Sequence, residues 1–199
     1  MNKVLVTGAT GFIGRALLHE LTKSGVNVIA IVRDKSNCDL PVEVSVISCD
    51  LDKVRELPRF VADRDINCCI HLAWEGTTGK ARANTNIQIS NASRSLELCK
   101  VLTELKIKRF IGTGSTAEIY AYSASNTDGI TPNPVSIYGI AKLFTHLSTK
   151  VLCGSLGIEH VWACVGNTFG TNDKSDNFIN FASKLIMSDK KAEFTSGEQ

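Results

Sequence analysis

The stretch YGIAK contains Tyr138 and, four residues later, Lys142. This spacing places two side chains on the same face of a helix. A phenol in water releases its proton only near pH 10, and a nearby ammonium favours the ionised form. Such a pair can exchange a proton with a hydroxyl or carbonyl group of a bound molecule. The spacing alone is weak evidence, but neither Tyr120 nor Tyr122 is followed by a lysine in this way.

A hydroxyl group that positions the reacting oxygen would complete the pair. The segment RFIGTGSTAEIYA offers Ser115 and Thr116 just after an apolar run. The carboxyl ends of parallel strands form the ligand crevice of an open α/β sheet. We therefore expect one of the two hydroxyls to act with Tyr138, and we favour Thr116. The alternative is a polar exit from a strand with no catalytic part.

Three glycines, Gly8, Gly11 and Gly14, fall within VTGATGFIG, between an apolar run and an amphipathic segment. Backbone amides at a helix N-terminus bind anions, provided that no Cβ blocks their approach. In the dinucleotide-binding fingerprint the first glycine permits the tight turn, the second admits the pyrophosphate, and the third allows close packing of helix on strand. We assign these roles in that order, although the spacing here is G-x-x-G-x-x-G.

The end of the second apolar run bears on which dinucleotide binds. NAD-binding chains carry an acid there for the ribose hydroxyls, whereas this chain has Val32, Arg33 and Asp34. A guanidinium can pair with a 2′-phosphate. We therefore favour NADP over NAD, the alternative being that Arg33 is a solvated arginine beside Asp34.

Further residues at strand ends are candidates for ligand contact. Asp50 and Leu51 end the third run and could bracket an adenine, although Asp50 could equally be a helix N-cap. Trp74 follows the fourth run, and we expect it to line a substrate cleft.

The elements that must position these residues alternate along the chain. Apolar runs followed by helical patterns predict an α/β fold, a Rossmann-like doubly wound parallel sheet. Long helices are expected near 84–105 and 138–155, and a surface loop over 119–137. Continuous apolar runs predict strands buried on both faces. These runs lie at 4–6, 28–32, 68–73 and 161–165.

Composition narrows the class of protein. The chain has 199 residues and a formal net charge of +2, which gives no basic excess for nucleic acid. No apolar run reaches the length of a membrane span, and no signal peptide is visible, so we expect a cytoplasmic protein without a membrane partner. The seven cysteines lack a C-x-x-C pair and mostly fall in apolar runs, which indicates reduced core residues and no metal site.

The motifs VTGATGFIG, HLAW, GSTAEIY, YGIAK and VGNTFG occur in this order over essentially the whole chain. In this combination the chain resembles the extended short-chain dehydrogenase/reductase family, in its NAD-dependent epimerase/dehydratase branch acting on nucleotide sugars. The resemblance implies a homodimer formed through the two long helices. It also assigns the pyrophosphate loop to residues Gly8, Thr10, Gly11, Phe12, Ile13 and Gly14.

The same resemblance implies further roles. Leu72 and Ala73 flank the cofactor, and Lys142 also holds the nicotinamide ribose. Thr116 takes the position of the catalytic serine or threonine, and Asn167 lies near the substrate cleft.

Two departures from the family pattern qualify the resemblance. Sugar 4,6-dehydratases resemble T-D-E where this chain has Thr116, Ala117 and Glu118, which argues against dehydration. Family members also normally continue well beyond the residue at which this chain ends. We therefore expect a dinucleotide-binding domain over 1–170, with 171–199 beginning an incomplete C-terminal substrate-binding lobe.

The expected function is NAD(P)-dependent oxidation, reduction or epimerisation of a nucleotide sugar, by reversible hydride transfer at a carbinol or keto carbon. One alternative is an NADPH-dependent reductase of a small carbonyl compound. Another is a dinucleotide-binding module without turnover. Weak or absent turnover and self-association through 178–187 are also expected of a chain with an incomplete lobe.

Overall fold

Six parallel strands form one sheet in the computed structural model, which describes residues 2–36, 38–63, 65–125, 136–171, 173, 175 and 177–188. The spatial order is β3-β2-β1-β4-β5-β6, so the chain reverses direction across the sheet between β1 and β4. The strands are β1 (Lys3–Thr7), β2 (Asn27–Val32), β3 (Ser45–Ser48), β4 (Cys68–His71), β5 (Arg109–Ser115) and β6 (Glu159–Val165). This order confirms the predicted doubly wound sheet.

Helices connect these strands. A 3-10 segment, Leu51–Arg59, follows β3, and the short α2 precedes the long α3. The α-helices are α1 (Phe12–Lys23), α2 (Gly79–Arg82), α3 (Thr85–Glu104), α4 (Thr116–Ser125), α5 (Ile137–Ser155) and α6 (Phe178–Met187). The two long helices therefore lie where the sequence predicts them.

Both faces of the sheet are covered by apolar side chains. Val4 and Val6 of β1 belong to one buried cluster with Leu18 of α1. Leu5 points to the opposite face, since successive strand residues alternate, and it joins a second cluster with Leu98 of α3. This two-sided burial explains the continuous apolar runs of the central strands.

The expected loop over 119–137 is wrong for its first part, because α4 continues to Ser125. The small side chain of Ala121 lets α4 pack on α5, where it is opposite Gly139. Ser125 donates its hydroxyl to the carbonyl of Ala121, which stabilises the last turn. Residues 126–135 of the expected loop lie outside the described residues.

β6 also differs from the prediction that it is buried on both faces. It is an edge strand of the described sheet, and all of its residues are exposed or half-buried. Cys164 on β6 is exposed, which corrects the expectation of a core cysteine. The other thiols are buried except Cys38, which is half-buried, and all seven cysteines are free.

The chain divides into two compact units, 1–166 and 167–199. In the second unit the side chain of Asn177 caps α6 by accepting from the amide of Asn180 at 2.8 Å. Residues 172, 174, 176 and 189–199, which belong to the predicted lobe 171–199, lie outside the described residues. Across the ranges that are described, no helix has the length and hydropathy to cross a bilayer.

Candidate functional site

Tyr138 and Lys142 lie on one face of the first turns of α5. The Ser136 hydroxyl caps this helix by accepting from the amide of Gly139 at 3.3 Å. Both members of the pair are buried, with Tyr138 6% exposed and Lys142 4% exposed. The Lys142 ammonium donates to the carbonyl oxygen of Thr113 on β5 at 2.8 Å. The start of α5 is thereby tied to the carboxyl half of β5.

The charge of Lys142 is destabilised by its surroundings. Burial lowers the pKa of Lys142 to about 7, and the carboxylate of Glu118 opposes this by favouring the charged form. The charged form of Lys142 is therefore less favoured than that of a lysine in water.

Trp74 and Arg82 lie against this pair. The ammonium of Lys142 is 3.7 Å from the centre of the Trp74 ring, and the guanidinium carbon of Arg82 is 3.9 Å from the centre of the Tyr138 ring. Trp74 also meets Tyr138 edge-on, with ring centres 6.2 Å apart. The contacts of Lys142 with Trp74 and of Arg82 with Tyr138 are cation–π interactions.

The candidate hydroxyls Ser115 and Thr116 lie where β5 passes into α4. The Ser115 hydroxyl oxygen accepts from the amide of Ala117 at 3.3 Å, whereas Thr116 is exposed. A Cβ added at Gly139 would lie only 2.5 Å from the carbonyl oxygen of Ala117. The start of α4 therefore packs directly on the start of α5, which places Thr116 and Tyr138 on adjoining helix ends.

Glu118 is the acid that remains of the dehydratase-like triplet. It is 4% exposed and accepts from the indole Nε1 of Trp162 at 2.9 and 3.1 Å. Its Oε1 also lies 3.8 Å from Nδ1 of His146, whose pKa is lowered by burial. Glu118 is therefore held by β6 and α5 through side-chain contacts.

The glycine loop is shaped by close backbone approaches. Gly8 has φ +73°, and a Cβ there would lie 2.5 Å from the amide nitrogen of Ala73. A Cβ at Gly14 would lie 2.2 Å from the carbonyl oxygen of Gly8, and one at Gly11 would lie 3.2 Å from that same oxygen. The first and third glycines are thus required by the fold itself, where the loop after β1 meets Leu72 and Ala73 after β4.

The N-terminus of α1 has no side-chain cap. Gly11 is its N-cap and provides no side-chain hydrogen bond, and the first turn contains no acidic residue. Thr10 is exposed, and its carbonyl accepts from Arg15 Nε at 3.1 Å. Phe12 and Ile13 form the first helical positions, and Ile13 is 38% exposed. Backbone amides at a helix start without a side-chain cap can bind an anion.

A cavity of about 420 Å³ lies beyond the end of β2. Arg33 is exposed at this cavity, and Asp50 also lines it. Asp50 accepts from the amide of Asp52 at 2.9 Å, so it is an N-cap. Leu51 does not line this cavity but a neighbouring one of about 300 Å³, and it packs against the core.

His71, to which we assign no chemistry, is a buried structural residue. Ser95 donates its hydroxyl to the carbonyl of Asn91 at 2.8 Å, so its oxygen accepts from Nε2 of His71 at 2.9 Å. Nδ1 therefore accepts from the hydroxyl of Thr7 at 2.7 Å. Burial, with a smaller effect of the charge on Lys142, lowers the pKa of His71 to about 3, so the ring stays neutral.

Sequence reasoning does not single out Arg82 or Gln88. Gln88 is fully buried on α3 and accepts from the Trp74 indole at 2.8 Å. Both are polar residues without a motif, and only tertiary contacts show their position. Asn167 begins the second unit, and its expected place near a substrate stays a prediction.

These features match a known family. A sequence model of the NAD dependent epimerase/dehydratase family matches residues 4–199. The chain belongs to this family. The resemblance drawn from its motifs is therefore confirmed.

Individual members of the epimerase/dehydratase family have moderate sequence identity to this chain. The dTDP-6-deoxy-L-talose 4-dehydrogenase (NAD(+)) of Aggregatibacter actinomycetemcomitans is 29% identical over 143 residues, which are 71% of this chain and 52% of that protein. CDP-abequose synthase of Salmonella muenchen is 25% identical over 201 aligned positions, which cover 99% of this chain and 64% of that protein. The chain thus spans between half and two-thirds of the length of these relatives.

The fold is shared with solved structures of the family. UDP-glucuronic acid 4-epimerase from Bacillus cereus, in complex with NAD, superposes with a TM-score of 0.75 at 24% identity. The match covers 99% of this chain and 67% of that one.

Proposed function

We propose that this chain carries the dinucleotide site and the catalytic pair of an enzyme that acts on a nucleotide sugar. The reaction is reversible hydride transfer at a sugar carbinol or keto carbon, with NAD or NADP as cofactor. The observation that carries the proposal is the buried pair of Tyr138 and Lys142, of which Lys142 donates to the carbonyl of Thr113 in the carboxyl half of β5.

The residues present fit a nicotinamide dinucleotide. The loop of Gly8, Gly11 and Gly14 leaves a cradle that a Cβ would fill, and it precedes an uncapped helix start. The cofactor, when bound, supplies the acceptor or donor of the hydride. Arg33 at the cavity beyond β2 supports NADP, because its guanidinium could pair with a 2′-phosphate. A relative whose name specifies NAD(+) and a neighbour solved with NAD keep NAD as the alternative.

Each residue of the site has its own proposed role in the reaction. Tyr138 exchanges a proton through its hydroxyl with the oxygen on the reacting carbon. Lys142, when charged, favours the ionised phenol and holds the nicotinamide ribose. Thr116, exposed at the start of α4, donates to the same substrate oxygen, with Ser115 as the second candidate. Trp74 and Asn167 are proposed to contact the sugar nucleotide.

The reaction type is proposed to be 4-epimerisation or reduction of a 4-keto sugar. The names of two relatives, a 4-dehydrogenase and a dTDP-4-dehydro-6-deoxyglucose reductase, are consistent with chemistry at this carbon. Elimination of water is disfavoured, because Ala117 replaces an acid and Glu118 is engaged by Trp162.

A homodimer is proposed through the face of α5 that points away from the core. Ile140, Phe144, Leu147 and Val151 recur at helical spacing, and all are at least 38% exposed. An apolar stripe of this kind on a long helix is typical of an interface between protein chains.

The proposal is tested by mass spectrometry of small molecules that co-purify with the protein, followed by dinucleotide titration. Retained NAD+ supports an epimerase, which must recover its hydride before product leaves. Exchangeable NADPH supports a reductase. Failure to bind either dinucleotide would contradict the proposal, and binding without turnover on a nucleotide-sugar panel would favour the module without catalysis.

A further inference from the structure

We propose that the segment of residues 74–82 is a cover that closes over Tyr138 and Lys142, and that Gln88 holds it closed. The proposal rests on the proposed function only in giving Tyr138 a substrate that must reach it. The cover itself is argued from contacts within the first unit.

The cover contacts both members of the pair. Its first residue, Trp74, has its ring face 3.7 Å from the Lys142 ammonium. Its last residue, Arg82, has its guanidinium 3.9 Å from the centre of the Tyr138 ring. Tyr138 is accordingly 6% exposed, although it lies in the first turn of its helix. We infer that the phenol becomes accessible to a substrate oxygen when part of this cover moves.

Gln88 binds the cover at three points. Its Oε1 accepts from the indole Nε1 of Trp74 at 2.8 Å. Its Nε2 donates to the carbonyl oxygens of Gly76 at 2.9 Å and Ala81 at 3.1 Å. One fully buried side chain of α3 therefore joins both ends of the cover. Loss of this amide would remove a hydrogen-bond partner from three polar groups of the cover. The Ala81 carbonyl would keep one partner, since it also accepts from the amide of Asn84 at 3.2 Å.

A second group of contacts holds Glu75, near the start of the cover. The amide of Asn91, one helical turn after Gln88, bonds both the N–H and the C=O of Glu75, at 3.0 and 2.8 Å. Arg94 donates to the Glu75 carboxylate at 3.2 Å. Glu75 therefore has its own attachments to α3. Loss of Gln88 should release residues 76–82 before Glu75.

Residues 77–82, the tip of the cover, are held more weakly. Arg82 donates to the carbonyl of Thr77 at 2.9 Å, within the cover itself, and otherwise contacts the Tyr138 ring. Gly76 and Gly79 have φ values of +69° and +58°, a conformation that side chains rarely adopt. Two glycines in this conformation on either side of Thr77 allow the tip to fold back over Tyr138.

The test measures the reactivity of each tyrosine toward N-acetylimidazole, which acetylates exposed phenols, by peptide mass spectrometry. Tyr120 and Tyr122 are 71% and 57% exposed and serve as internal references. In the wild-type chain we expect Tyr138 to react at least about tenfold more slowly than Tyr120, because it must wait for local opening. Equal reactivity of the three tyrosines would overturn the proposal.

Two variants test separately the role of Gln88 and the contact of the cover with Tyr138. Gln88→Leu removes the three bonds, and Arg82→Met removes the cation over the ring while leaving Gln88 in place. Both are expected to raise the acetylation rate of Tyr138 several-fold and to leave that of Tyr120 unchanged. Arg109→Met, at the opposite end of β5, is the matched control and should change neither rate.

Circular dichroism shows which variants are folded. If Gln88→Leu unfolds, Arg82→Met decides the matter, since it removes no buried hydrogen bond. A Tyr138 that stays unreactive in a folded Arg82→Met variant would contradict a cover over the phenol. Turnover is not needed for any of these measurements, so their failure is distinguishable from a failure of the proposed function.

Discussion

The ammonium of Lys142 lies 3.7 Å from the face of the Trp74 ring, at a position that is only 4% exposed. A buried lysine loses the hydration of its charge, and a ring face and one carbonyl replace it in part. Burial lowers the pKa of Lys142 to about 7. The folded chain therefore holds this proton less tightly than the unfolded chain.

Folding stability should consequently rise with pH in one window. Between about pH 7 and pH 10 the unfolded chain binds one more proton at this lysine than the folded chain, which gives up to about 1.4 kcal/mol per pH unit. Lys142→Met should abolish this gain, and the free energy of unfolding from urea titrations measures it. Lys23→Met, at an exposed lysine of α1, should keep it. A wild-type minus Lys142→Met difference that is flat with pH would contradict the account.

The glycine loop gives a matched pair of substitutions. Gly14→Ala places a Cβ 2.2 Å from the carbonyl oxygen of Gly8, so the loop must move, at a cost of about 1–3 kcal/mol. Gly154→Ala, near the end of α5, meets nothing within 4 Å and should be neutral or stabilising. Thermal unfolding and calorimetric titration with a dinucleotide measure both effects. Unchanged affinity in a folded Gly14→Ala variant would argue against this loop as the pyrophosphate site.

Arg33 decides between the two dinucleotides. If it pairs with a 2′-phosphate, Arg33→Ala should weaken NADP binding by about 1.5–3 kcal/mol and barely change NAD binding. Arg55→Ala, at an exposed arginine paired with Glu97, is the control. Equal losses for both dinucleotides would remove the reason for favouring NADP.

The exposed face of α5 predicts the oligomeric state. Phe144→Glu places a charge at the centre of this apolar face, where Phe144 is 53% exposed. We expect light scattering to show a dimer for the wild-type chain and a monomer for the variant. Val42→Glu, at a residue that is 94% exposed away from α5, should stay dimeric. A dimer that survives Phe144→Glu would direct attention to α6, whose Phe178 and Met187 are also exposed.

The parallel sheet and the long helices could be predicted because their signals are local. Apolar runs report burial on both faces, and the spacing of Gly8, Gly11 and Gly14 reports a turn between strand and helix. The boundary of α4 could not be read in this way. Its serines and alanines merge into a stretch rich in Ser, Asn and Pro, and what favours the helix is packing of Ala121 against α5.

The placement of Tyr138 and Lys142 on one helix face could be predicted from their spacing, but their surroundings could not. Gln88 and Arg82 carry no motif, and they meet Trp74 and Tyr138 only through the fold. Glu118 shows the same limit, since its sequence context resembles an acid of a dehydratase while its carboxylate is held by Trp162. Such contacts join residues that are far apart in the chain, and they produce no periodic pattern in a single sequence.

The most direct test of the central claim is the turnover of Tyr138→Phe on nucleotide sugars, measured in a form of the protein in which the wild-type sequence is active. The protein is incubated with NAD+ and 4-hydroxy nucleotide sugars, and with NADPH or NADH and 4-keto nucleotide sugars, and products are followed by NMR and mass spectrometry. We predict that the variant binds dinucleotide normally and loses about 10²–10⁴-fold in rate, because its ring packs but carries no proton to exchange. Tyr120→Phe should keep the wild-type rate. Near-normal turnover by Tyr138→Phe would contradict the account.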